Sequence, residues 1–421
     1  MTVSLRLPHA FQSLRNHNYR LWAGGALVSN IGTWMQRTAQ DWLVLTELTH
    51  HNASAVGVVM ALQFGPQLLF LPFTGYAADH FNQRRLLVAT QAAMGLFALI
   101  LGLLTVTGLV QLWHVYVLAA LSGVAAAFDA PVRQTFVSEL VGDGELPNAI
   151  ALNATTFNAA RMVGPAVAGV VIGAWGTGWA FLINGASFIG VILSLALLRT
   201  ADLRPNPRAQ RGPGGFISGF TEGFRYAWKR PDLKGILLML FLIGTFGLNF
   251  PIFISTMAVR VFHADAQGYS LLSSMMAVGT ISGALLAAGR KQPNMRTLLV
   301  GAGVFGLGCG LAALAPSYWL FAAALVVTGV AALTFTNTTN ALMQLSTEPH
   351  MRGRVLALRV GVALGGTPIG APIVGWVADN LGPRWALGIG ALSGLAAALV
   401  AIPLLARRVS HGAEAPRAPS P

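Results

Sequence analysis

The feature that most constrains this chain is a series of apolar blocks about as long as a bilayer is thick. Residues 86–109 and 181–198 are two such blocks, and neither contains a charged side chain. A helix needs about 20 apolar residues to cross a hydrocarbon core of roughly 30 Å. Only 10% of the residues are charged, against about a quarter in soluble domains, so the chain lacks the polar surface of a water-soluble fold. The sequence therefore predicts an all-α, multi-pass protein of the cell membrane.

Block length and flanking polarity predict twelve transmembrane helices, numbered here as spans one to twelve. They cover residues 19–46, 53–78, 86–107, 112–132, 148–174, 178–198, 233–259, 267–288, 297–315, 317–341, 355–379 and 384–405. Most arginines and lysines fall in alternate gaps between these spans, which by the positive-inside rule face the cytoplasm. Both termini are then cytoplasmic, which requires an even number of spans. We expect the bacterial cytoplasmic membrane as the location.

The same charge pattern excludes other classes of protein. The net charge of +13 does not form one basic patch with interleaved aromatic residues, so we expect no nucleic-acid partner. The single cysteine, Cys309, provides neither a disulfide framework nor a thiolate metal site. No nucleotide-binding, hydrolase or metal motif is present. We therefore predict no metal, no cofactor and no enzymatic activity, and any energy input must come from an ion gradient.

The chain divides into five predicted regions. A cytoplasmic N-terminus (1–18) precedes a six-helix half (19–198), and a cytoplasmic linker (199–232) precedes the second six-helix half (233–405) and a disordered tail (406–421). Within the linker, residues 216–228 place aromatic side chains every four positions beside basic residues, which predicts an interfacial amphipathic helix. We expect the protein to act as a monomer within the lipid bilayer.

An internal repeat supports the division into halves. Four positions in and after span five recur 206 residues later in and after span eleven: Gly164, Gly169, Gly176 and Trp179 become Gly370, Gly375, Gly382 and Trp385. The shift moves an even number of spans, so the two halves have the same orientation. Parallel repeats of this kind enclose a substrate cavity near the bilayer midplane.

The segment after span two resembles a signature of the major facilitator superfamily, and the resemblance covers essentially the whole chain. Gly75 is followed by Asp79 and the basic pair Arg84-Arg85, although Asn82 and Gln83 replace the usual glycine and arginine. The resemblance implies the major facilitator fold, with these residues as a gate between the halves. The alternative is that the charges only mark loop topology.

Span five is similar to a motif of exporting antiporters in that superfamily. It carries Ala160, the pair Gly164-Pro165 and Gly169, with alanine at three positions where the motif has glycine. Small residues on one stripe let the helix press against a partner helix. The resemblance implies export, whereas generic helix packing accounts for the same residues without a direction of transport.

Two further segments resemble the branch that contains enterobactin exporters and macrolide or tetracycline efflux proteins. They are residues 32–42 in span one and residues 128–134 at the cytoplasmic end of span four. The resemblance implies a secondary active transporter that exports a small amphiphilic molecule, drug-like or siderophore-like, by proton-coupled alternating access. One departure is Ala119, where the antiporter motif of span four has an arginine. An importer or uniporter, or a non-transporting membrane receptor, remains the alternative.

Charged residues inside spans are costly and are therefore functional hypotheses. Arg37 and Asp41 lie four apart in span one, on one helix face, and can pair. Arg161 lies well inside span five. A proton-coupled exporter needs a carboxylate that binds protons in alternation with substrate, plus a nearby cation. We predict Asp41 as this carboxylate, with Arg37 and Arg161 as cations; a purely structural Arg37–Asp41 bridge is the alternative.

The remaining candidates line a cavity or form gates. Polar and aromatic residues suited to an amphiphilic substrate are Trp34, Gln36, Gln40, Gln63, Phe64, Gln67, Asn153, Phe157 and Asn158. Residues assigned to gating or packing are Gly75, Asp79, Arg84, Arg85, Asp129, Arg133, Gly164 and Pro165.

The predicted topology can be tested with reporter fusions. Green fluorescent protein at the C-terminus should fluoresce and alkaline phosphatase there should be inactive, because the positive-inside rule keeps this end in the cytoplasm. The same reporters inserted between spans seven and eight should give the opposite pair of results. An active phosphatase at the C-terminus would contradict the even number of spans.

Overall fold

The computed structural model describes residues 9–204, 216–288 and 294–413, and every regular element within these ranges is a helix. The prediction of an all-helical chain is confirmed for this part. The α-helices are α1 (His17–Trp42), α2 (Ala53–Leu69), α3 (Leu71–His80), α4 (Gln83–Val106), α5 (Leu112–Leu140), α6 (Leu146–Trp175), α7 (Thr177–Ala196), α8 (Phe216–Lys229), α9 (Pro231–Leu242), α10 (Phe250–Thr256), α11 (Ala266–Ala288), α12 (Met295–Leu314), α13 (Tyr318–Ser346), α14 (Arg352–Asn380) and α15 (Pro383–Ala413). Three π-helical segments occupy Leu43–Leu48, Ile243–Gly247 and Met257–Val261.

Ten helical stretches in the described ranges are long and apolar enough to cross a membrane, and α2 is apolar but shorter. Helix α1 is not among the ten, because polar and charged side chains such as Arg37 and Asp41 lower its hydropathy. Predicted span two is divided at Phe70 into α2 and α3, and Pro72 lies in the first turn of α3. The total of twelve spans and the sides of the termini remain predictions.

Asparagine caps begin four of the helices. The side-chain oxygens of Asn16, Asn52, Asn82 and Asn294 accept hydrogen bonds from backbone N–H groups three residues later. Such caps satisfy donors that the first helical turn leaves without an intrahelical partner. Asn82 occupies a position where the superfamily signature has glycine, and here it fixes the start of α4.

The chain forms two compact units. The first consists of Met1–Gly212 together with Ile254–Ser274, and the second of Pro213–Phe253 together with Met275–Pro421. The segment 254–274 contains the end of α10, the π-helical segment Met257–Val261 and the start of α11. It belongs by its contacts to the first unit, although it follows the linker in sequence. The predicted bounds of the two halves remain predictions.

The internal repeat found in the sequence marks equivalent helix ends. Gly176 ends α6 with a φ of 89°, and Gly382 follows α14 with a φ of 103°. Glycine adopts this left-handed conformation without the clash that a Cβ atom causes. Trp179 and Trp385, three residues after each glycine, are both exposed. The two positions therefore terminate a helix and restart the next one in the same manner.

A second pair of repeated glycines makes equivalent close contacts. In the first unit, a Cβ atom on Gly164 of α6 would overlap the Cβ atom of Trp34 in α1. In the second unit, a Cβ atom on Gly370 of α14 would overlap the carbonyl oxygen of Thr245, which lies in the π-helical segment after α9. Each glycine thus brings its helix against the first spanning helix of its own unit.

Helix α8 covers the predicted amphipathic segment and packs against α14 in the second unit. Glu222 forms a salt bridge of 2.8 Å with Arg354, and a Cβ atom on Gly223 would lie 2.9 Å from the Arg354 carbonyl oxygen. The aromatic rings of Phe224 and Trp228 stack with centroids 5.1 Å apart and remain exposed. The helix therefore has one docked face and one unburied aromatic face.

The contact at Gly370 should tolerate no added side chain. Gly370→Ala should lower the free energy of unfolding by about 1–3 kcal/mol, because the obstructing atom belongs to backbone and cannot rotate away. Gly303→Ala in α12 is the matched control, since no atom lies within 4 Å of its added Cβ. That variant should be neutral or more stable by up to about 1 kcal/mol. Thermal unfolding in detergent micelles measures both, and equal melting temperatures would contradict the assigned contact.

Candidate functional site

Trp34 in α1 is the centre of the candidate site in the first unit. The guanidinium carbon of Arg37 lies 4.9 Å from the centre of the Trp34 ring, and that of Arg161 lies 5.3 Å from it. Arg37 also lies 5.6 Å from the ring of Phe64 in α2. Phe157 meets Trp34 edge-on, with ring centroids 5.8 Å apart. The structure therefore brings together five residues that the sequence proposed from three different helices.

Helix geometry and the Gly164 contact explain this arrangement. Arg37 follows Trp34 by three residues, so both project from neighbouring positions on α1. Arg161 precedes Gly164 by three residues on α6, and Gly164 is the point where α6 touches α1 beside Trp34. The glycine allows α6 to approach α1 closely, and this approach places Arg161 beside the Trp34 ring that Arg37 also contacts.

The two guanidinium groups repel each other. Their carbon atoms are at most about 10 Å apart, since both lie close to one ring centre. Two like charges at this distance repel by about 1–2 kcal/mol at an effective dielectric constant of about 20. In the part of the chain that the structure describes, neither group forms a salt bridge or a hydrogen bond. The aromatic faces supply the attraction, about 0.5–2 kcal/mol for each contact.

Asp41 faces a neutral donor. The hydroxyl of Tyr269 in α11 donates a hydrogen bond to Asp41 Oδ2 at 3.3 Å. The Tyr269 ring is buried and stacks on Trp42, with centroids 6.0 Å apart and an interplanar angle of 20°. Among the described contacts Arg37 and Asp41 form no direct salt bridge, since Arg37 contacts the rings of α1 and α2, but the two charges are close enough to attract each other. Asp41 turns instead toward the segment 254–274.

A small cavity with a mixed polar and apolar lining lies beside Arg37. Its volume is about 70 Å³, which suits roughly two water molecules. It is lined by Thr33, Gln36, Arg37, Gln63, Gln67, Met94, Ser122, Gly123, Ala126, Asn184 and Phe188. Asn184 Nδ2 donates to Gln36 Oε1 at 2.5 Å, and Gln67 Nε2 donates to the Gln63 carbonyl at 3.2 Å. Arg37 is the one charged residue among these lining residues.

Six predicted cavity residues do not line this cavity: the aromatic residues Trp34, Phe64 and Phe157, and the amides Gln40, Asn153 and Asn158. Gln40 is buried, and its amide nitrogen has no hydrogen-bond partner among the described residues. Asn158 donates to the carbonyl of Ala154 in its own helix at 2.8 Å. Asn153 is half-buried on α6. The cavity therefore takes its amide groups from α1, α2 and α7 rather than from α6.

Asp129 is fully engaged between α4 and α5. It forms a salt bridge of 2.8 Å with Arg133 and accepts hydrogen bonds from Thr90 Oγ1 at 2.9 Å and Gln91 Nε2 at 2.6 Å. These contacts satisfy both carboxylate oxygens in a buried position. The local geometry is that of a packing cluster, in contrast to the surroundings of Asp41.

The basic pair after α3 has two different environments. Arg84 donates from Nε and Nη2 to the last carbonyls of α7, at 2.7 Å to Leu195 and 3.0 Å to Ala196. A cation at a helix C-terminus satisfies free carbonyls and complements the helix dipole. Arg85 is exposed. Arg84 therefore stabilises the end of α7, and only Arg85 is directed to the surroundings.

The other predicted gating residues lie on α3 and α6. Gly164 and Pro165 are buried in α6 at its crossing with α1. Gly75 and Asp79 belong to α3, but their side-chain positions lie outside the described part of the structure.

Two residues of the site were not identified from the sequence. Tyr269 lies 228 residues from Asp41, and Asn184 lies 148 residues from Gln36. Neither carries a local signal, because a lone tyrosine or asparagine in an apolar span is also compatible with simple packing. The unusual polarity of α1, which both residues contact, was the only available indication.

The described residues contain no group of three or more His, Cys, Asp or Glu side chains that could hold a metal ion. Near the site, Glu47 accepts a hydrogen bond from Thr177 Oγ1 at 3.2 Å. The site chemistry therefore consists of two guanidinium groups, one carboxylate, a phenol, amides and aromatic faces.

Comparison with known proteins gives a consistent family. A family model described as transmembrane secretion effector matches residues 9–421. The multidrug efflux pump Tap of Mycolicibacterium fortuitum is 26% identical over 376 residues, covering 85% of this chain and 88% of that protein. The staphyloferrin A transporter of Staphylococcus aureus is 26% identical and covers 61% and 63%. The enterobactin exporter EntS of Shigella flexneri is 23% identical and covers 81% and 80%.

Solved transporter structures share the fold. The nucleoside transporter NupG aligns with a TM-score of 0.73 at 13% identity, covering 92% of this chain and 99% of that chain. A bacterial homologue of the lysosomal transporter Spinster, in an inward-facing and unoccupied conformation, aligns with a TM-score of 0.68 at 15% identity, covering 92% and 95%. At these identities the likeness concerns the fold alone.

Asp129 and Asp41 should differ in their contribution to stability. Asp129→Ala should lower the free energy of unfolding by about 3–5 kcal/mol, because it leaves the partly buried Arg133 without its partner. Asp41→Ala removes one long hydrogen bond and should cost about 1 kcal/mol. Thermal unfolding in detergent compares the two variants. Equal losses would identify Asp41 as a structural residue.

Proposed function

Because the chain belongs to the transmembrane secretion effector family of the major facilitator superfamily, we propose that this membrane transporter exports a small amphiphilic molecule in exchange for protons. The relatives are efflux pumps and siderophore transporters of bacterial cell membranes, rather than enzymes. Export of a drug-like or siderophore-like compound by a monomer is the corresponding assignment here. Its energy source would be the proton gradient.

The environment of Asp41 is the observation that carries the proposal. Among the described intramembrane acids, Asp129 is held by a salt bridge, whereas Asp41 accepts a hydrogen bond from a neutral phenol. Proton uptake at Asp41 would therefore break no direct salt bridge, although it would remove the attraction between Asp41 and Arg37. A carboxylate without a direct ion-pair contact suits a proton-coupling residue, because its charge can change at a lower cost than that of a salt-bridged acid.

The contact with Tyr269 provides a physical link from protonation to conformation. A charged carboxylate accepts a hydrogen bond more strongly than a neutral one. Protonation of Asp41 would weaken its bond to Tyr269 and thereby loosen the attachment of the segment 254–274 to α1. The stacking of Trp42 on Tyr269 would fix the position of the Tyr269 ring in this contact. Alternating access would then follow from the two states of a single contact.

The repeat and the gating residues support the same proposal. Matching contacts of Gly164 and Gly370 within their own units agree with two six-helix halves of shared orientation. In this scheme Gly75, Asp79 and Arg85 would act at the cytoplasmic gate. Both termini would be cytoplasmic.

Substrate-induced proton movement tests the function directly. Inside-out vesicles carrying a pH gradient and a pH-sensitive dye would receive a panel of amphiphilic drugs and catecholate siderophores. An exporting antiporter should dissipate the gradient in response to a substrate. Substrate uptake by right-side-out cells with no proton movement would favour an importer or uniporter. Binding without any transport would favour a receptor.

Asp41→Asn should abolish the proton response while leaving folding and substrate binding largely intact. Asp202→Asn is the matched control, because it removes the same charge at an exposed position after α7. Tyr269→Phe keeps the ring that stacks on Trp42 and removes only the hydroxyl, so it should alter the pH dependence of transport. Unchanged proton coupling in Asp41→Asn would refute the assignment of this residue.

A further inference from the structure

The strongest unexplained feature is the excess of positive charge around Trp34. Arg37 and Arg161 lie within 4.9 and 5.3 Å of one ring centre, and neither forms a salt bridge in the described ranges. Asp41, the carboxylate expected to pair with Arg37, is directed to Tyr269. The site therefore holds two cations that repel each other, and the one nearby acid, which attracts Arg37 without a direct salt bridge, can balance only one of the two charges.

The cavity beside Arg37 also carries positive charge and favours an anionic ligand. Of its lining residues, Arg37 alone is charged, and the polar remainder consists of amide and hydroxyl groups, including Asn184, Gln63 and Ser122. Amide N–H₂ and hydroxyl groups can donate to an anion, and a guanidinium group binds carboxylates through two parallel hydrogen bonds. Arg37 would repel an organic cation unless acidic groups offset its charge. None lines this cavity.

Size defines which part of a ligand the cavity can hold. A volume of about 70 Å³ accommodates a carboxylate or a phenolate oxygen with a water molecule, but not a complete amphiphile. The apolar part of a ligand would therefore lie outside it, against the aromatic groups. Phe157 is 46% exposed and meets Trp34 edge-on, so it provides an accessible surface beside the two cations.

From this geometry we infer that the transported substrate is an organic anion, with its acidic group held by Arg37 and Arg161 and its apolar part packed on Trp34 and Phe157. The inference rests on the proposed function, because it treats this site as the substrate site. An anion placed between the guanidinium groups would neutralise their mutual repulsion. Export would then be selective for acids over amines of the same shape.

Three probes with one aromatic body separate charge from shape. These are 2-naphthoate, the neutral 2-naphthamide and the cationic 2-naphthylmethylammonium, and their binding to the purified full-length protein is measured by calorimetry without a pH gradient. Naphthoate should bind at least about tenfold more tightly than the other two, since charge-assisted hydrogen bonds are the stronger ones. Equal or tighter binding of the amine, or no binding of naphthoate, would overturn the inference.

Variants then assign the effect to the two arginines. Arg161→Gln should weaken naphthoate binding about tenfold and leave naphthamide binding within about twofold, because only the charged contact is lost. Arg161→Lys should retain part of the preference, and Arg37→Gln should act like Arg161→Gln. Arg20→Gln is the control, since it removes an exposed charge from the same helix as Arg37.

A purely structural role for the arginines predicts a different pattern. Arg161→Gln would then lower the melting temperature and weaken all three probes equally, which would overturn the inference. The anion-site inference and the proposed proton coupling can also be contradicted independently of each other. A protein that prefers naphthoate but shows no proton response in vesicles would retain the anion site and lose the proposed coupling, whereas proton-coupled export of amines would do the reverse.

Discussion

The close crossing of α6 over α1 at Gly164 is the contact on which the site depends. Without a side chain at this position, the backbone of α6 reaches the Cβ atom of Trp34. Hydrophobic burial gives little force for helix association inside a bilayer, so close packing at small residues supplies it. The crossing brings Arg161 to the same Trp34 ring that Arg37 contacts. A residue that touches no ligand therefore determines where the charges lie.

Another face of α6 contacts the segment that follows the linker, since Gly169 and Gly173 lie about 140–180° around the helix from Gly164. Added Cβ atoms on Gly169 and Gly173 would lie 2.7 Å from Ser270 Cβ and 2.8 Å from Gln267 Nε2. Ser274 Oγ donates to the carbonyl of Met162 at 3.3 Å. One helix thus supports, on two faces, both the aromatic site at Trp34 and the segment that carries Tyr269.

Much of the fold could be predicted from the sequence, because apolar block length and glycine position are local signals. The repeat that includes Gly176 and Gly382 predicted two halves of the same orientation, and both glycines have positive φ where a helix ends. The hydrogen-bond partner of Asp41 could not be predicted in this way. A spacing of four residues predicted Arg37, but that guanidinium contacts the aromatic faces of Trp34 and Phe64, and the hydrogen bond to Asp41 comes from Tyr269.

Similar limits apply to single charged residues outside the site. Arg84 belongs to a recognisable motif, yet its hydrogen bonds to Leu195 and Ala196 depend on how α4 and α7 pack. The break between α2 and α3 at Phe70 was also missed, because residues 53–78 read as one apolar block. In each case the contact that determines the structure involves a residue distant in sequence or a backbone group. Such contacts cannot be inferred from the spacing of residues along the chain.

A π-helical segment, Leu43–Leu48, directly follows α1, so a single helical wheel drawn through this span misplaces some of its residues. A π-helical turn holds an extra residue, which rotates all later positions by about 100° relative to an unbroken α-helix. Positions up to Trp42 and positions within Leu43–Leu48, where the helix ends, therefore belong to two different wheels. Glu47 meets Thr177 of α7, and a single wheel drawn through the span would assign this face incorrectly. Substitutions chosen to scan one side of the helix change sides at this turn.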